Sequence, residues 1–388
     1  MNNPLFSFAI GSYNNYEYIF EAIDSVLNQT YPAIELIVSN DGSPDFKLDE
    51  VKKYIEKNRK QNIVRFIVNN NSENLGTVAN TEYCRSVSSG EYIMYMSADD
   101  CLYDKDVLTK FAEEFSELGP EAMCVSGKVA MCEQDINKVI NILPDDNTIK
   151  SIKEFSSEEM FSRLSHTFTI PTTSTCYKRK LYDVVGAYDK KYFIIEDAPL
   201  YLKMARLGVK FHWLDIIAAR HRAGGISHGN AKNLSEAYKK YRYDEILIYK
   251  NEVFPYLNLI SDTDKKIMLK KWEYIEFAYW DMFERGNANI DVGFVIKHWM
   301  MFIRKIAKYL VFNNSSIKHI SSVLIMMLCF LKLLESNFIS SLGFKDINSF
   351  VCTVCDIVII LGVSMLTLIY CLKVVYKIKR RNGADRNG

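Results

Sequence analysis

Residues 1–228 predict an α/β fold built on a mostly parallel central sheet with flanking helices. Three observations carry this. Short apolar strand patterns alternate with helical ones, and at least one strand pattern has no polar face at all. Three strand patterns also end in polar, turn-forming clusters, "GSYN", "SNDGS" and "SADD". Strands apolar on both faces and joined by helices belong to parallel sheets covered on both sides. In such sheets ligands collect at the carboxyl ends of the strands.

Taken in order, "FSFAIGSYN" is a strand. "YEYIFEAIDSVLNQ" is a helix with apolar positions at Ile19, Ala22, Ile23, Val26 and Leu27. The strand "IELIVSND", the helix "LDEVKKYIEKNRK" and the strand "VRFIVNN" follow. The helical "TVANTEYCRSVSS" is expected to end at Gly90 in the left-handed conformation. "EYIMYMS" is the strand with no exposed face, and it runs into Asp99 and Asp100. From 120 to 220 the pattern is less regular, as an acceptor-side region built on the same sheet would be. Residues 229–292 are rich in tyrosine and charge and read as a helical extension.

The 388-residue chain balances 48 basic against 47 acidic side chains, which argues against binding a nucleic acid polymer. The amino terminus has no basic region and no long apolar stretch, so it reads as a first strand and not as a signal peptide. Nine cysteines without a metal-like arrangement fit reduced thiols in a cytosolic compartment. The single C-x-x-C, Cys352 and Cys355, lies inside an apolar segment that suits neither zinc nor redox chemistry.

The end of the chain differs in kind. Residues 293–318 contain a basic amphipathic pattern, with Lys297, Arg304, Lys305 and Lys308 among Trp299, Phe302, Ile303, Ile306 and Leu310. Such a helix suits a membrane interface, although a core helix with snorkelling lysines gives the same pattern. Residues 350–372 run about 23 residues with Asp356 as the one charge, long enough to span a bilayer. The basic flank from Lys373 to Arg381 favours a cytoplasmic carboxyl terminus. A cytoplasmic amino-terminal domain then requires a second pass, which 320–340 supplies at the cost of Lys332 and Glu335. Residues 319–388 are accordingly expected to form a membrane hairpin with a basic cytoplasmic tail. Re-entrant or interfacial packing is the alternative.

Several motifs now stand in a fixed order: Tyr13-Asn14, Ser25-Val26-Leu27-Asn28-Gln29-Thr30-Tyr31, Asn40-Asp41-Gly42-Ser43-Pro44-Asp45, "ENLGTVAN", "SGEYIMYMSADD" and "GAYDKKYFIIEDAPLYLKMARLG". This series, over about residues 5–228, resembles the inverting family 2 glycosyltransferases of bacterial surface-polysaccharide type. The resemblance implies a GT-A nucleotide-binding sheet in residues 1–228. It assigns Gly11, Tyr13, Asp41, Asp99, Arg220 and Arg222 to the nucleotide sugar, with Tyr13 against the base and Asp41 accepting a hydrogen bond from its edge. An acceptor-only carboxylate suits the ring N–H of uracil or thymine, which favours a UDP-sugar. Asp41 before Gly42 is also ordinary turn chemistry.

The family's Asp-x-Asp metal motif stands here as Ser97-Ala98-Asp99-Asp100, so a serine replaces the first acid. The resemblance leaves Mg2+ or Mn2+ to Asp99 and Asp100. Hard oxygen ligands suit either ion, and a divalent cation stabilises a departing diphosphate. Glu196 and Asp197 match the Glu-Asp motif in which the Asp is the general base of inverting transfer. An acidic first turn of a helix beginning near Pro199 is the purely structural account of the same residues. In "ARHRAGGISHG" Arg222 stands where the family has a histidine, which leaves the role of Arg222 and His221 open. His166 and His228 read as ordinary polar residues.

The resemblance, with the membrane segments, implies a hexosyltransferase acting on a polyprenyl-diphosphate-linked oligosaccharide at the cytoplasmic face of a bacterial inner membrane. Two competitors share the sheet. A catalytically silent membrane-anchored nucleotide-binding module is favoured by Ser97 and opposed by Glu196-Asp197. A nucleotidyltransferase needs a basic glycine-rich loop, which "GSYNNYEYI" lacks. Deleting residues 350–388 is expected to weaken membrane association and transfer to lipid-linked acceptors more than donor hydrolysis. Flotation of the truncated protein with vesicles, alongside transfer assays, checks this.

Overall fold

Strand β1 (Phe6–Ser12) shows why the sheet is buried on both sides. Phe6, Phe8 and Ile10 alternate with Ser7, Ala9 and Gly11, and nearly all are inaccessible. The aromatic and aliphatic set faces one helical layer, and the small set lets the opposite layer approach. Each fully buried Phe or Ile side chain is worth about 1.5–3 kcal/mol relative to exposure. The computed structural model describes residues 3–167, 170–224 and 235–284, together with 298 and 301. The chain divides into units Met1–Asp291 and Val292–Gly388, and the fold here is that of the first. The membrane segments expected within 293–388 lie outside the described residues, apart from 298 and 301. Among the described residues no helix is long and apolar enough to cross a membrane.

After β1 come α1 (Ile19–Leu27), β2 (Ile34–Asn40), α2 (Leu48–Asn58), β3 (Ile63–Asn70), α3 (Thr77–Val87) and β4 (Tyr92–Ser97). These strands pair in parallel, with β1 between β2 and β4 and β3 beyond β2. The short β5 (Cys101–Leu102), α4 (Val107–Leu118), β6 (Cys124–Cys132) and β7 (Val139–Leu143) follow. Next are α5 (Asp146–Glu154), α6 (Ser157–Leu164), β8 (Thr175–Lys178), α7 (Leu181–Val185), α8 (Asp197–Arg206) and β9 (His212–Arg222). The helices α9 (Glu236–Ile248) and α10 (Asp262–Tyr279) form the extension. Of the expected helical stretch 229–292, residues 235–284 are described, and further helical turns at Tyr249–Val253, Phe254–Leu259 and Trp280–Glu284 accompany these two helices.

The sheet order is β3-β2-β1-β4-β8-β6-β9-β5, with β7 beside β6. It is mixed, which corrects the mostly parallel sheet expected from the sequence. Strand β8 runs antiparallel to both β4 and β6, and β5 runs antiparallel to β9. These strands lie in the stretch where strand and helix patterns cease to alternate, so no regular crossover dictates a parallel arrangement. Strand β7 is exposed along its whole length, with Ile140 at 63%. One core layer joins the even-numbered side of β1 to α1, α2 and α4. The other joins Ala9, Ile37, Ile93 and Tyr95 to α3, α6, α8, α9 and α10.

Glu35 on β2 is fully buried and ties three segments. Its carboxylate accepts from the Ser7 hydroxyl at 2.6 Å, the Ser89 N–H at 2.7 Å and the Ser89 hydroxyl at 2.6 Å, and Arg65 lies 3.1 Å away. This explains how α3 ends. The helix stops at Val87, where Ser88 turns extended (φ −65°, ψ 141°), and its hydroxyl donates to the Cys84 carbonyl at 2.7 Å. Gly90 is not in the left-handed region, contrary to the expectation from the sequence. It is needed for close approach instead, since a Cβ there would lie 2.5 Å from Ser7 N and 2.6 Å from Leu5 O. Gly90→Ala is therefore expected to cost about 1–3 kcal/mol through overpacking against backbone. Urea unfolding should show a lower midpoint with an unchanged slope.

Candidate active site

The carboxyl ends of β1, β2 and β4 open on one cleft of about 690 Å³, within the range of small-molecule sites. Gly11, at the end of β1, stands opposite Ser39 on one side and Ser97 on the other. The ladder then continues past the strands, Asp41 N–H donating to Ser12 O and Ala98 N–H to Gly11 O, both at 2.8 Å. The turn after β1 is held by Asn15, whose Oδ1 accepts from the Ser12 hydroxyl at 2.8 Å and the Tyr13 N–H at 3.1 Å. Asn14 adopts a left-handed φ of 53°, tolerable for an asparagine. Tyr13 is left 41% exposed on the cleft wall, where its ring is free to stack.

Asp41 also lines the cleft, but it is buried and already engaged. Its Oδ1 accepts from Leu75 N–H at 3.0 Å and the Asn71 amide at 2.9 Å, while Oδ2 accepts from Gly76 N–H at 2.9 Å. The carboxylate thus orders the loop 71–76, and any bond to a ligand would use a remaining lone pair. Gly42, at φ +77°, lets this loop close, because a Cβ there would sit 2.3 Å from the Glu73 carbonyl carbon.

The two adjacent acids at the end of β4 occupy different environments. Asp100 is 1% exposed. Its Oδ2 pairs with His221 Nδ1 at 2.9 Å, and its Oδ1 accepts from the Arg222 N–H at 3.1 Å. Burial and then the neighbouring Asp99 charge raise its pKa, against the opposing pull of His221. Burial works against the charged form of His221, yet the hydrogen bond and charge of Asp100 outweigh it and raise the imidazole pKa. Asp99 lies on the cleft wall. Its Oδ1 accepts from the Ser97 hydroxyl and from the Asn15 amide at 3.3 Å, and among the described residues no donor reaches its Oδ2. Among the described residues no three His, Cys, Asp or Glu side chains converge as a metal cage. The donors present fit a hard divalent cation that takes one open carboxylate and draws its other ligands from phosphate and water.

Strand β5 pairs with the end of β9, Cys101 opposite Arg220, which brings residues 220–222 beside the Asp99-Asp100 turn. Arg222 borders the cleft, but protein acceptors hold its guanidinium. These are Glu21 Oε2 at 2.6 Å, the Asp99 carbonyl at 3.1 Å and the Gln134 carbonyl, with the Tyr18 ring 4.2 Å below. Arg220 does not reach the cleft and lies over the Tyr103 ring at 4.6 Å. His166 is a buried polar residue paired with Asp264 at 2.9 Å, and His228 lies outside the described residues.

Glu196 and Asp197 stand at the start of α8. Glu196 lines the cleft beside Thr172 and Thr173. Asp197 accepts from the Thr172 hydroxyl at 2.9 Å and from the Ala198 N–H at 2.7 Å. Burial, then the adjacent Asp197 charge, pushes Glu196 up to about 8. Burial raises Asp197 as well, against the donors from Thr172 and Ala198. Two acids this close titrate as a pair, and near neutral pH the pair can receive a proton. Asn15 and Thr172 escaped the sequence reading. Asn15 follows directly on the Tyr13-Asn14 motif, whereas nothing local marks Thr172.

These features define a polar cleft at the strand ends of an α/β GT-A-like sheet. Residues 7–186 match the family described as Glycosyl transferase family 2. An uncharacterized glycosyltransferase of Rickettsia typhi is 26% identical over 314 residues, 78% of this chain and 92% of that protein. The chondroitin synthase of Pasteurella multocida is 26% identical over 61% of this chain and 22% of its own length. The structure of S. aureus TarS 1–349 in complex with UDP-GlcNAc is 18% identical, covering 79% of this chain and 80% of that one at a TM-score of 0.48. Residues 7–186 are thus similar to the family 2 glycosyltransferases, and most of the chain is similar to proteins named glycosyltransferases. The match ends before Glu196 and Asp197.

The folded protein binds the Glu196 proton more tightly than the unfolded chain, whose carboxyl titrates near 4.5. The stability from this group is therefore whole below about pH 4.5 and is lost as the pH rises toward about 8. Glu196→Gln removes that loss, so its stability relative to the wild type should climb steadily across this range. Urea unfolding at stepped pH reads the difference, and a constant offset would contradict a proton held by the pair.

Proposed function

We propose that the protein is a membrane-associated, metal-dependent inverting hexosyltransferase. It moves a sugar from a nucleotide-diphosphate donor, a UDP-sugar by preference, to a hydroxyl of a polyprenyl-diphosphate-linked oligosaccharide. The observation that carries this reading is one cleft lined by both the open Asp99 carboxylate and Glu196, whose neighbour Asp197 is held by Thr172, another lining residue. Tyr13 and Asp41 would receive the nucleoside and Asp99 the diphosphate side. Mg2+ or Mn2+, when bound at Asp99, supplies charge stabilisation to the departing diphosphate. Asp100 and Arg222 hold the Asp99 turn and the end of β9 in register.

On the acceptor side, Asp197 takes the proton of the attacking hydroxyl as that oxygen bonds to the anomeric carbon. The bond to the diphosphate breaks with its electron pair leaving on the phosphate oxygen. One displacement inverts the anomeric centre. Glu196, protonated near neutral pH, keeps the pair at a single negative charge and so leaves Asp197 ionised and able to take a proton. The amphipathic segment at 293–318 and the apolar run at 350–372 support an acceptor anchored in the bilayer. They also support a place in surface polysaccharide assembly at the cytoplasmic face of an inner membrane.

The test uses the full-length protein and a panel of nucleotide sugars, with donor hydrolysis and transfer followed with and without EDTA. Activity should vanish on chelation and return with Mn2+. Asp197→Asn should lower turnover by about 10²–10⁴-fold, the share of a general base, with donor affinity nearly unchanged. Tight nucleotide binding without turnover would favour the silent module, for which Ser97 in place of an acid speaks. A variant that keeps its turnover, or loses donor binding in parallel, refutes the assignment of Asp197.

A further inference from the structure

Residues 193–195 lie between Tyr192 and α8, outside any helix or strand, and lead directly into Glu196 and Asp197. Their three consecutive N–H groups turn toward a single side chain, Asp244 of α9. Its carboxylate accepts from Phe193 N–H at 2.9 Å, Ile194 N–H at 2.6 Å and Ile195 N–H at 3.0 Å. Asp244 is 2% exposed. Successive N–H groups curled around one point form a concavity for an anion, and here the protein supplies that anion itself.

We propose that Asp244 is a positioning residue for proton transfer, fixing the backbone of 193–195 so that Glu196 faces the cleft with Asp197 next to it. This rests on the assignment of that pair to the acceptor hydroxyl. Three further observations support it. Phe193 and Ile194 line the same cleft as Glu196, so the segment that Asp244 holds is part of the wall. Lys240, one helical turn before Asp244, places its ammonium 3.5 Å from the centre of the Phe193 ring, so α9 grips the segment at two points on one face. On its other side the Phe193 carbonyl accepts from Val78 N–H at 3.3 Å in the first turn of α3. The loop preceding that turn is the one ordered by Asp41. The segment is thus held between the nucleotide wall and the helical extension.

A carboxylate suits this site. All three donors converge on Oδ2, and Phe193 N–H also reaches Oδ1 at 3.1 Å, so an asparagine would lose the charge that strengthens these bonds and set its NH2 against the Phe193 N–H. The charge of Asp244 also adds to the repulsion felt by Glu196, so the residue bears on the pair through space as well as through the backbone.

The experiment compares the wild type, Asp244→Asn, Asp244→Glu and Asp197→Asn in the full-length protein. Amide hydrogen exchange, which needs no substrate, is read over 190–197 and, as a control, over β1 and β2. In Asp244→Asn, exchange at 193–195 should quicken at least about tenfold while the strands are unchanged, since three buried hydrogen bonds are weakened. Turnover should fall about 10–100-fold, with KM for donor and calorimetric affinity for UDP within about twofold. Asp244→Glu, which keeps the charge, should lie nearer the wild type than Asn in both measures. Unchanged exchange, unchanged turnover, a parallel loss of UDP affinity, or a Glu variant worse than Asn would each overturn the proposal. If Asp197→Asn retains turnover, the proton-transfer reading fails on its own, and the exchange data still decide what Asp244 holds.

Discussion

Parallel pairing on both sides of β1 is the constraint from which the rest of the site follows. With Gly11 level with both Ser39 and Ser97, the chain must leave three strands at one height. Polar side chains far apart in sequence therefore become neighbours without any side-chain attraction between them. The backbone ladder does the assembling, and the burial of Phe8, Leu36 and Met94 on one face and Ala9, Ile37 and Tyr95 on the other holds the ladder in register. A slip of one residue would turn every one of these side chains to the wrong layer.

Around that frame the protein accepts several buried charges, each with its partners in place. Glu35 joins β2 to the exit of α3, Asp100 joins the end of β4 to β9, and Asp244 joins α9 to the approach to α8. Arg222 joins α1, the Asp99 turn and the loop at Gln134. A buried charge of this kind contributes little net stability compared with an apolar substitute, but removing one partner strands the other. Such residues specify where segments lie more than how tightly the whole is held. The acids of the cleft depend on them: Asp99 stays open to the cleft while Asp100 and Arg222 take the contacts behind it.

Much of this was readable in the sequence where the signal is local. The amphipathic spacing of Ile19, Ala22, Ile23, Val26 and Leu27 marks α1, and all five are buried. The apolar run ending at Asp99-Asp100 marks β4 and the tip that the cleft uses. What escaped was set by distant partners. Gly90 looks like a helix terminator, but the backbone of residues 5–7 decides its role. Arg220 and Arg222 look equivalent as sequence, yet the pairing of β5 with β9 sends one over Tyr103 and the other to Glu21. Thr172 and Asp244 meet their partners across 25 and 51 residues, separations at which no spacing rule operates. The antiparallel β8 is missed for a related reason, since nothing in four residues of strand encodes direction.

The outward strand β7 has a consequence for how the protein behaves in solution. It is bonded on one side to β6, and its side chains Val139, Ile140, Ile142 and Leu143 all meet water. Lys138 and Pro144 bracket the strand, and its pairing with β6 is irregular between Met131 and Cys132, features that commonly keep such rims apart. Self-association in concentrated samples is therefore expected to be held in check at the strand's ends and to begin, where it occurs, at the exposed apolar side chains between them.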